Sequence, residues 1–147
     1  MTRIHLSFPT RDLAASTAFY EALFATSPDK TRDDFVRFQP ANVPITLSLT
    51  PDPDARPAPG TAHQGIKLAD VASVRTAIAR FESLDMPLRT EQMNCCYADL
   101  DRVWVIDPDG RPWEVYTVLD EQPDGAGLAP SSGTCCVKEE QEASACC

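Results

Sequence analysis

Apolar and polar residues alternate at the start of the chain. Ile4, Leu6 and Phe8 fall on one side and Arg3, His5 and Ser7 on the other, the period of a half-buried strand. The period then lengthens. Leu13, Ser16, Phe19, Tyr20 and Leu23 recur at helical spacing behind Asp12, whose carboxylate suits the free amides of a first helical turn. Shifted by 58 residues the pattern returns: His63 matches His5, Ile66 matches Phe8, Asp70 matches Asp12, Val71 matches Leu13, Ile78 matches Tyr20 and Phe81 matches Leu23. The second helix is predicted over about Asp70 to Ser83, with Val71, Val74, Ile78 and Phe81 on one stripe.

Strand-like runs follow each helix. They cover Asp34 to Phe38 and Ile45 to Thr50 in the first half, and Leu88 to Gln92, Tyr97 to Ile106 and Trp113 to Leu119 in the second. Asp107-Pro108-Asp109-Gly110 marks a tight turn between the last two. Each half therefore reads as strand, helix, then two or three strands, which predicts an α+β fold of two modules, about residues 1–55 and 60–120. They form a curved mixed sheet, mainly antiparallel, with helices outside and a concave polar face inside.

Length and composition narrow the function. The chain has 147 residues, enough for one domain with a real core, and 43% of them are hydrophobic. A formal charge of −9 argues against nucleic-acid backbone and anionic membrane as partners, which leaves a small molecule. With no run of about 18 apolar residues and no basic-then-apolar leader, the expected compartment is the cytoplasm, where thiols stay reduced. From Glu121 onward Gly, Pro, Ser and acidic residues replace apolar ones, so 121–147 reads as a disordered tail.

The two histidines occupy equivalent places in the two repeats. Each shares its side of the strand with polar or small neighbours, so both imidazoles are expected on the concave face. Taken singly, each reads as an ordinary polar strand residue. In matching registers they read as ligands. Aligning the final strands through Pro44 and Pro112 sets Glu114 opposite Thr46. His5, His63 and Glu114 then form a two-histidine, one-carboxylate triad with open positions, and Thr46 is a weak or absent fourth ligand.

All six cysteines come as adjacent pairs: Cys95-Cys96, Cys135-Cys136 and Cys146-Cys147. Neighbouring cysteines are poorly placed to staple a fold, because their disulfide is strained and closes almost no loop. They suit a single thiophilic centre, such as trivalent arsenic or a soft metal. Cys95-Cys96 lies within an interval from His63 to Glu114 that is ten residues longer than that from His5 to Thr46, which predicts a loop over the metal. Tyr97 beside the thiols and Tyr116 beside Glu114 are candidates to orient a substrate or to pack in the pocket wall.

The segment from Asn94 through Cys95-Cys96-Tyr97-Ala98-Asp99 to Asp107-Pro108-Asp109-Gly110-Arg111-Pro112-Trp113-Glu114-Val115-Tyr116 resembles the vicinal-oxygen-chelate superfamily. Within that superfamily it is most similar to organoarsenical carbon-arsenic lyases and the related cadmium-induced proteins. The resemblance covers about Ile4 to Asp120. It implies the vicinal-oxygen-chelate fold, two βαβββ modules forming a curved mixed sheet around a metal site, with Fe(II) on His5, His63 and Glu114 and trivalent arsenic captured by Cys95 and Cys96. It also implies dioxygen as co-substrate, cleavage of a carbon-arsenic bond in a methyl- or aryl-arsenical, release of arsenite, and a possible homodimer. Some members carry glutamine at the position of His5. Cys135, Cys136, Cys146 and Cys147 are expected to be accessory thiols. Three alternatives stay open: a non-enzymatic arsenic- or cadmium-sequestering protein, an extradiol-type dioxygenase, and a glyoxalase-type isomerase.

Overall fold

The structure, a computed structural model, describes residues 2–57, 63–95 and 98–120, with the backbone alone at 91–95, 98 and 99. Each half builds its own four-stranded sheet. In the first, β1 (Ile4–Thr10), β2 (Lys30–Arg32), β3 (Phe35–Phe38) and β4 (Ile45–Pro51) lie in the order β1-β4-β3-β2, with α1 (Leu13–Phe24) after β1. In the second, β5 (Gln64–Lys67), β6 (Leu88–Cys95), β7 (Ala98–Ile106) and β8 (Pro112–Asp120) lie in the order β5-β8-β7-β6, with α2 (Val71–Ser83) after β5. Both sheets are mixed: β1 runs parallel to β4, β5 runs parallel to β8, and the other pairs are antiparallel.

Local chemistry explains the helix starts. Asp12 accepts from the Ala15 amide at 2.9 Å and Asp70 from the Ser73 amide at 2.7 Å, each filling one of the orphan donors of a first turn. Those bonds hold the exposed Asp70 carboxyl below its ordinary value. Gly110 ends the Asp107–Gly110 turn at φ +95°, a left-handed conformation suited to glycine, and its amide donates to the Asp107 carbonyl at 2.9 Å.

One core joins the modules. Tyr20, Leu23 and Phe24 of α1 and Val74 and Phe81 of α2 pack with Leu47, Leu49, Val103, Val105 and Trp113 from the sheets. Trp113 meets Tyr20 and Phe24 edge-on, at centroid distances of 5.9 and 6.0 Å. Around this contact runs a buried polar cluster. Tyr20 Oη donates to Asp107 Oδ2 at 2.8 Å, Arg111 Nη1 to the same oxygen at 3.0 Å, and Arg111 Nη2 to the Pro9 carbonyl at 2.7 Å. Arg11 reaches Asp109 Oδ1 from its main-chain N–H at 3.0 Å and from Nε at 3.1 Å. Burial, with the Asp107 charge behind it, pushes the Tyr20 hydroxyl far above the usual phenol range. At Asp109 burial opposes ionisation, but bonds from Thr10 and Arg11 and the Arg111 charge outweigh it and hold the carboxyl below its ordinary value.

Several sequence expectations change. The strand Lys30–Arg32 was not predicted; all three residues are exposed, so no alternation marks it. Ile4, expected to face the helices, is 67% exposed, whereas Leu6 and Phe8 pack against the core. The ten extra residues, expected as a loop, lengthen the hairpin of β6 and β7, which stay paired as far as Cys95 opposite Ala98. The expected tail, 121–147, lies outside the described residues. Among the described residues no helix is long and apolar enough to cross a membrane.

Candidate metal centre

Alternation on three neighbouring strands makes the site. On β8, Trp113, Val115 and Thr117 are buried toward the core side, which turns Glu114 and Tyr116 to the opposite face. On β7, Val103 and Val105 enter the core, so Arg102 and Trp104 share that opposite face. Register aligns the two strands: Trp104 is across from Glu114 and Arg102 across from Tyr116. From the other side β5 brings Gly65 opposite Glu114, with His63 just before the strand.

The resulting geometry centres on one carboxylate. His63 Nε2 lies 3.3 Å from Glu114 Oε2, and Arg102 Nη1 donates to Glu114 Oε1 at 3.0 Å. The Glu114 and Arg102 side chains are each 8% exposed, whereas His63 is 43% exposed. A carboxylate so buried requires a partner, and removing one member of such a pair costs about 3–5 kcal/mol. Trp104 ties the two sides together. Its ring sits 4.8 Å from the His63 imidazole, nearly perpendicular, and the Arg102 guanidinium lies 5.2 Å from its centroid. Gly65 leaves the room this needs, because a Cβ there would come within 3.2 Å of Tyr116 Cε1 and 3.6 Å of Glu114 Oε2.

The expected triad is only partly brought together. His63 and Glu114 converge, but His5 stands on the first sheet, where its Nε2 lies 2.9 Å from Ser48 Oγ. Among the described residues no three His, Cys, Asp or Glu side chains are grouped to hold a metal. The fourth position also moves. Ser7 pairs with Ser48 and Gly65 with Glu114, so the counterpart of Glu114 is Ser48 rather than Thr46, which pairs with His5. Proline alignment misplaces it by one turn of the pleat, because parallel pairing with β1, not the entry into β4, sets the register.

Tyr116 sits beside Glu114, as expected. Cys95 ends β6, while Cys96, Tyr97, Cys135, Cys136, Cys146 and Cys147 lie outside the described residues. Arg102, Trp104 and Gly65 were missed. Their signal was parity: on a strand whose Val103 and Val105 point inward, Arg102 and Trp104 share a face with each other and with Glu114.

The donor set fits a metal in part. An imidazole and a carboxylate oxygen meet at one point of a polar face, two of the three donors of a facial triad. Among the described residues of one chain no third donor stands at that point.

Comparison with known proteins agrees with this architecture. Residues 3–115 match the model of the family described as Glyoxalase/Bleomycin resistance protein/Dioxygenase superfamily. The chain is 36% identical to the trivalent organoarsenical cleaving enzyme of Thermomonospora curvata, over 99% of this chain and 95% of that one. It is 34% identical to the cadmium-induced protein CadI of Mycobacterium tuberculosis, over 100% of this chain and 93% of that one. Among solved structures, a glyoxalase/bleomycin resistance protein/dioxygenase from Alicyclobacillus acidocaldarius superposes with a TM-score of 0.63 at 18% identity, covering 80% of this chain and 92% of that one. Lactoylglutathione lyase from Agrobacterium tumefaciens gives 0.60 at 22% identity, covering 78% and 91%. At those identities the two structures speak for the fold alone.

Proposed function

The chain belongs to the Glyoxalase/Bleomycin resistance protein/Dioxygenase superfamily, and from that premise we propose that it is a non-haem iron enzyme of organoarsenical detoxification. It cleaves the carbon-arsenic bond of trivalent methyl- or aryl-arsenicals in the cytoplasm, with dioxygen as co-substrate, and releases arsenite. One observation carries the reading. An imidazole and a buried carboxylate converge within 3.3 Å on the sheet whose extended hairpin ends at Cys95, in a chain 36% identical to a protein named for organoarsenical cleavage.

In this reading His63 and Glu114 hold Fe(II), and the metal supplies the activation of dioxygen that the cleavage needs. Cys95 and Cys96 exchange with the oxygen ligands of the trivalent arsenical and fix it as a dithiolate. Holding a scarce substrate beside the metal lowers the barrier by several kcal/mol. Ala98, opposite Cys95, lies four residues from Arg102 on β7, about 13 Å along the strand, so the hairpin must curve over the polar face to deliver arsenic. The pairing irregularity at Asp99/Leu100 is a point at which such a strand bends. Tyr116, packed against Gly65, walls the site beside Glu114.

The missing third ligand is His5 of a second copy. His5 is exposed on the polar face of the first sheet, so a homodimer that sets the first module of one chain against the second module of the other completes the triad twice. The remaining cysteine pairs act as accessory thiols.

The direct test is aerobic incubation of Fe(II)-loaded protein with trivalent methylarsenical. Arsenite should appear at many turnovers per chain and disappear when the metal is chelated. Stoichiometric uptake of arsenic without arsenite would instead establish a sequestering protein.

A further inference from the structure

The two oxygens of Glu114 meet different partners. Oε1 accepts from Arg102 Nη1 at 3.0 Å, while Oε2 faces His63 Nε2 at 3.3 Å. The guanidinium is held where it stands: it is 8% exposed, lies 5.2 Å from the Trp104 centroid, and Trp104 in turn packs on His63. A carboxylate free on both oxygens binds a metal through one or two of them, and the second oxygen fills a coordination position. We propose that Arg102 is a positioning residue that withholds Oε1 of Glu114 from the metal, so that the carboxylate offers one oxygen and a position stays open for exogenous ligands. This rests on the metal-centre reading above and extends it to a residue outside the ligand set.

An arginine suits this task better than a lysine. Its guanidinium lies over the Trp104 ring and stays charged while it donates, whereas an ammonium is a hydrated point charge. The proposal also predicts a sign that a merely supporting role does not. A residue that only orients a ligand weakens metal binding when it is lost, typically by about 10–100-fold. Loss of a residue that withholds an oxygen, and carries a positive charge beside the metal, tightens binding and closes the open position.

The test uses full-length protein titrated with Co(II), whose visible absorption weakens as coordination number rises. Wild type is expected to give a strong band that azide perturbs. Arg102→Met should bind Co(II) at least as tightly as wild type, up to about tenfold tighter, with a weakened band and an azide response reduced by about tenfold or more. Arg102→Lys, which keeps the charge but not the fork, should fall between them. A wild-type band and azide response in Arg102→Met overturn the proposal, as does weakened Co(II) binding with an unchanged band. If Arg102→Met does not fold, judged by circular dichroism and thermal midpoint, Arg102→Lys takes its place: a weakened band supports the proposal, and a wild-type band and azide response overturn it. Glu114→Gln separates the two levels of inference. Loss of Co(II) in that variant, with wild-type coordination in Arg102→Met, leaves the metal centre standing and removes Arg102 from it; failure of wild type to take up Co(II) removes both.

Discussion

The two modules carry the same strands in the same order, yet only one builds a charged site. In the first, His5 meets Ser48; in the second, His63 meets Glu114. The matching registers extend to the neighbouring strands. Arg37 lies across from Ser48 as Trp104 lies across from Glu114, and Phe35 takes the place of Arg102. A serine needs no counter-ion, and Arg37 is free to pair with Asp29 at 2.6 Å. A buried glutamate needs one, and Arg102 supplies it. The repeated frame thus carries serine and phenylalanine in one module and glutamate and arginine in the other, and the second pair gives that module a buried ion pair on its polar face.

The sharpest way to break this comparison is to remove the charge that distinguishes the modules. Glu114→Gln should lower Fe(II) affinity by more than the ~100-fold typical of losing a ligand's supporting group, measured by metal titration, and abolish arsenite release. A second experiment asks whether the modules cooperate between chains. His5→Ala and Glu114→Gln should each be inactive alone, but co-refolded they should recover activity, because a mixed dimer keeps one site with both its histidines and its glutamate. No recovery would place all three ligands in one chain.

Transplanting the difference gives the next effect in size. Ser48→Glu alone buries a carboxylate beside Phe35 and should destabilise the protein by about 3 kcal/mol in denaturant unfolding. Adding Phe35→Arg should restore part of that loss, and no restoration would refute the idea that the two exchanges are coupled. Smaller still is the junction between modules. Asp109→Asn should cost about 1–3 kcal/mol near neutral pH. The folded carboxyl titrates below its ordinary value, so its stabilisation is present above about pH 4 and lost as pH falls through the folded value. The gap in thermal midpoint between wild type and Asp109→Asn should therefore hold above pH ~4 and narrow below it. Smallest is Ser48→Ala, which removes one hydroxyl from His5 and should change metal affinity by no more than about threefold.

Much of the frame was legible because it rests on neighbours in sequence. Asp12 and Asp70 announce their helices through the amides three residues on, and alternation on β1, β7 and β8 separates core from polar face. His63 and Glu114 could be named as partners because the repeat and the alternation both pointed to them. Lys30–Arg32 could not, since its three residues are all exposed and its pairing comes from β3. Ser48 was passed over for Thr46 because a shared proline says where a strand begins, not how it registers with its parallel neighbour.

By itself the sequence determined the duplicated strand-helix-strand units, their caps and turn, and the residue types available on each polar face, because these follow from local propensity and the periods of helix and strand. Only the tertiary structure decided which of those residues meet. Ladder register set Glu114 between His63 and Arg102, and the shared core around Tyr20 and Trp113 left His5 on the other sheet. Contacts between distant segments depend on pairing and packing geometry, which no spacing along one strand encodes.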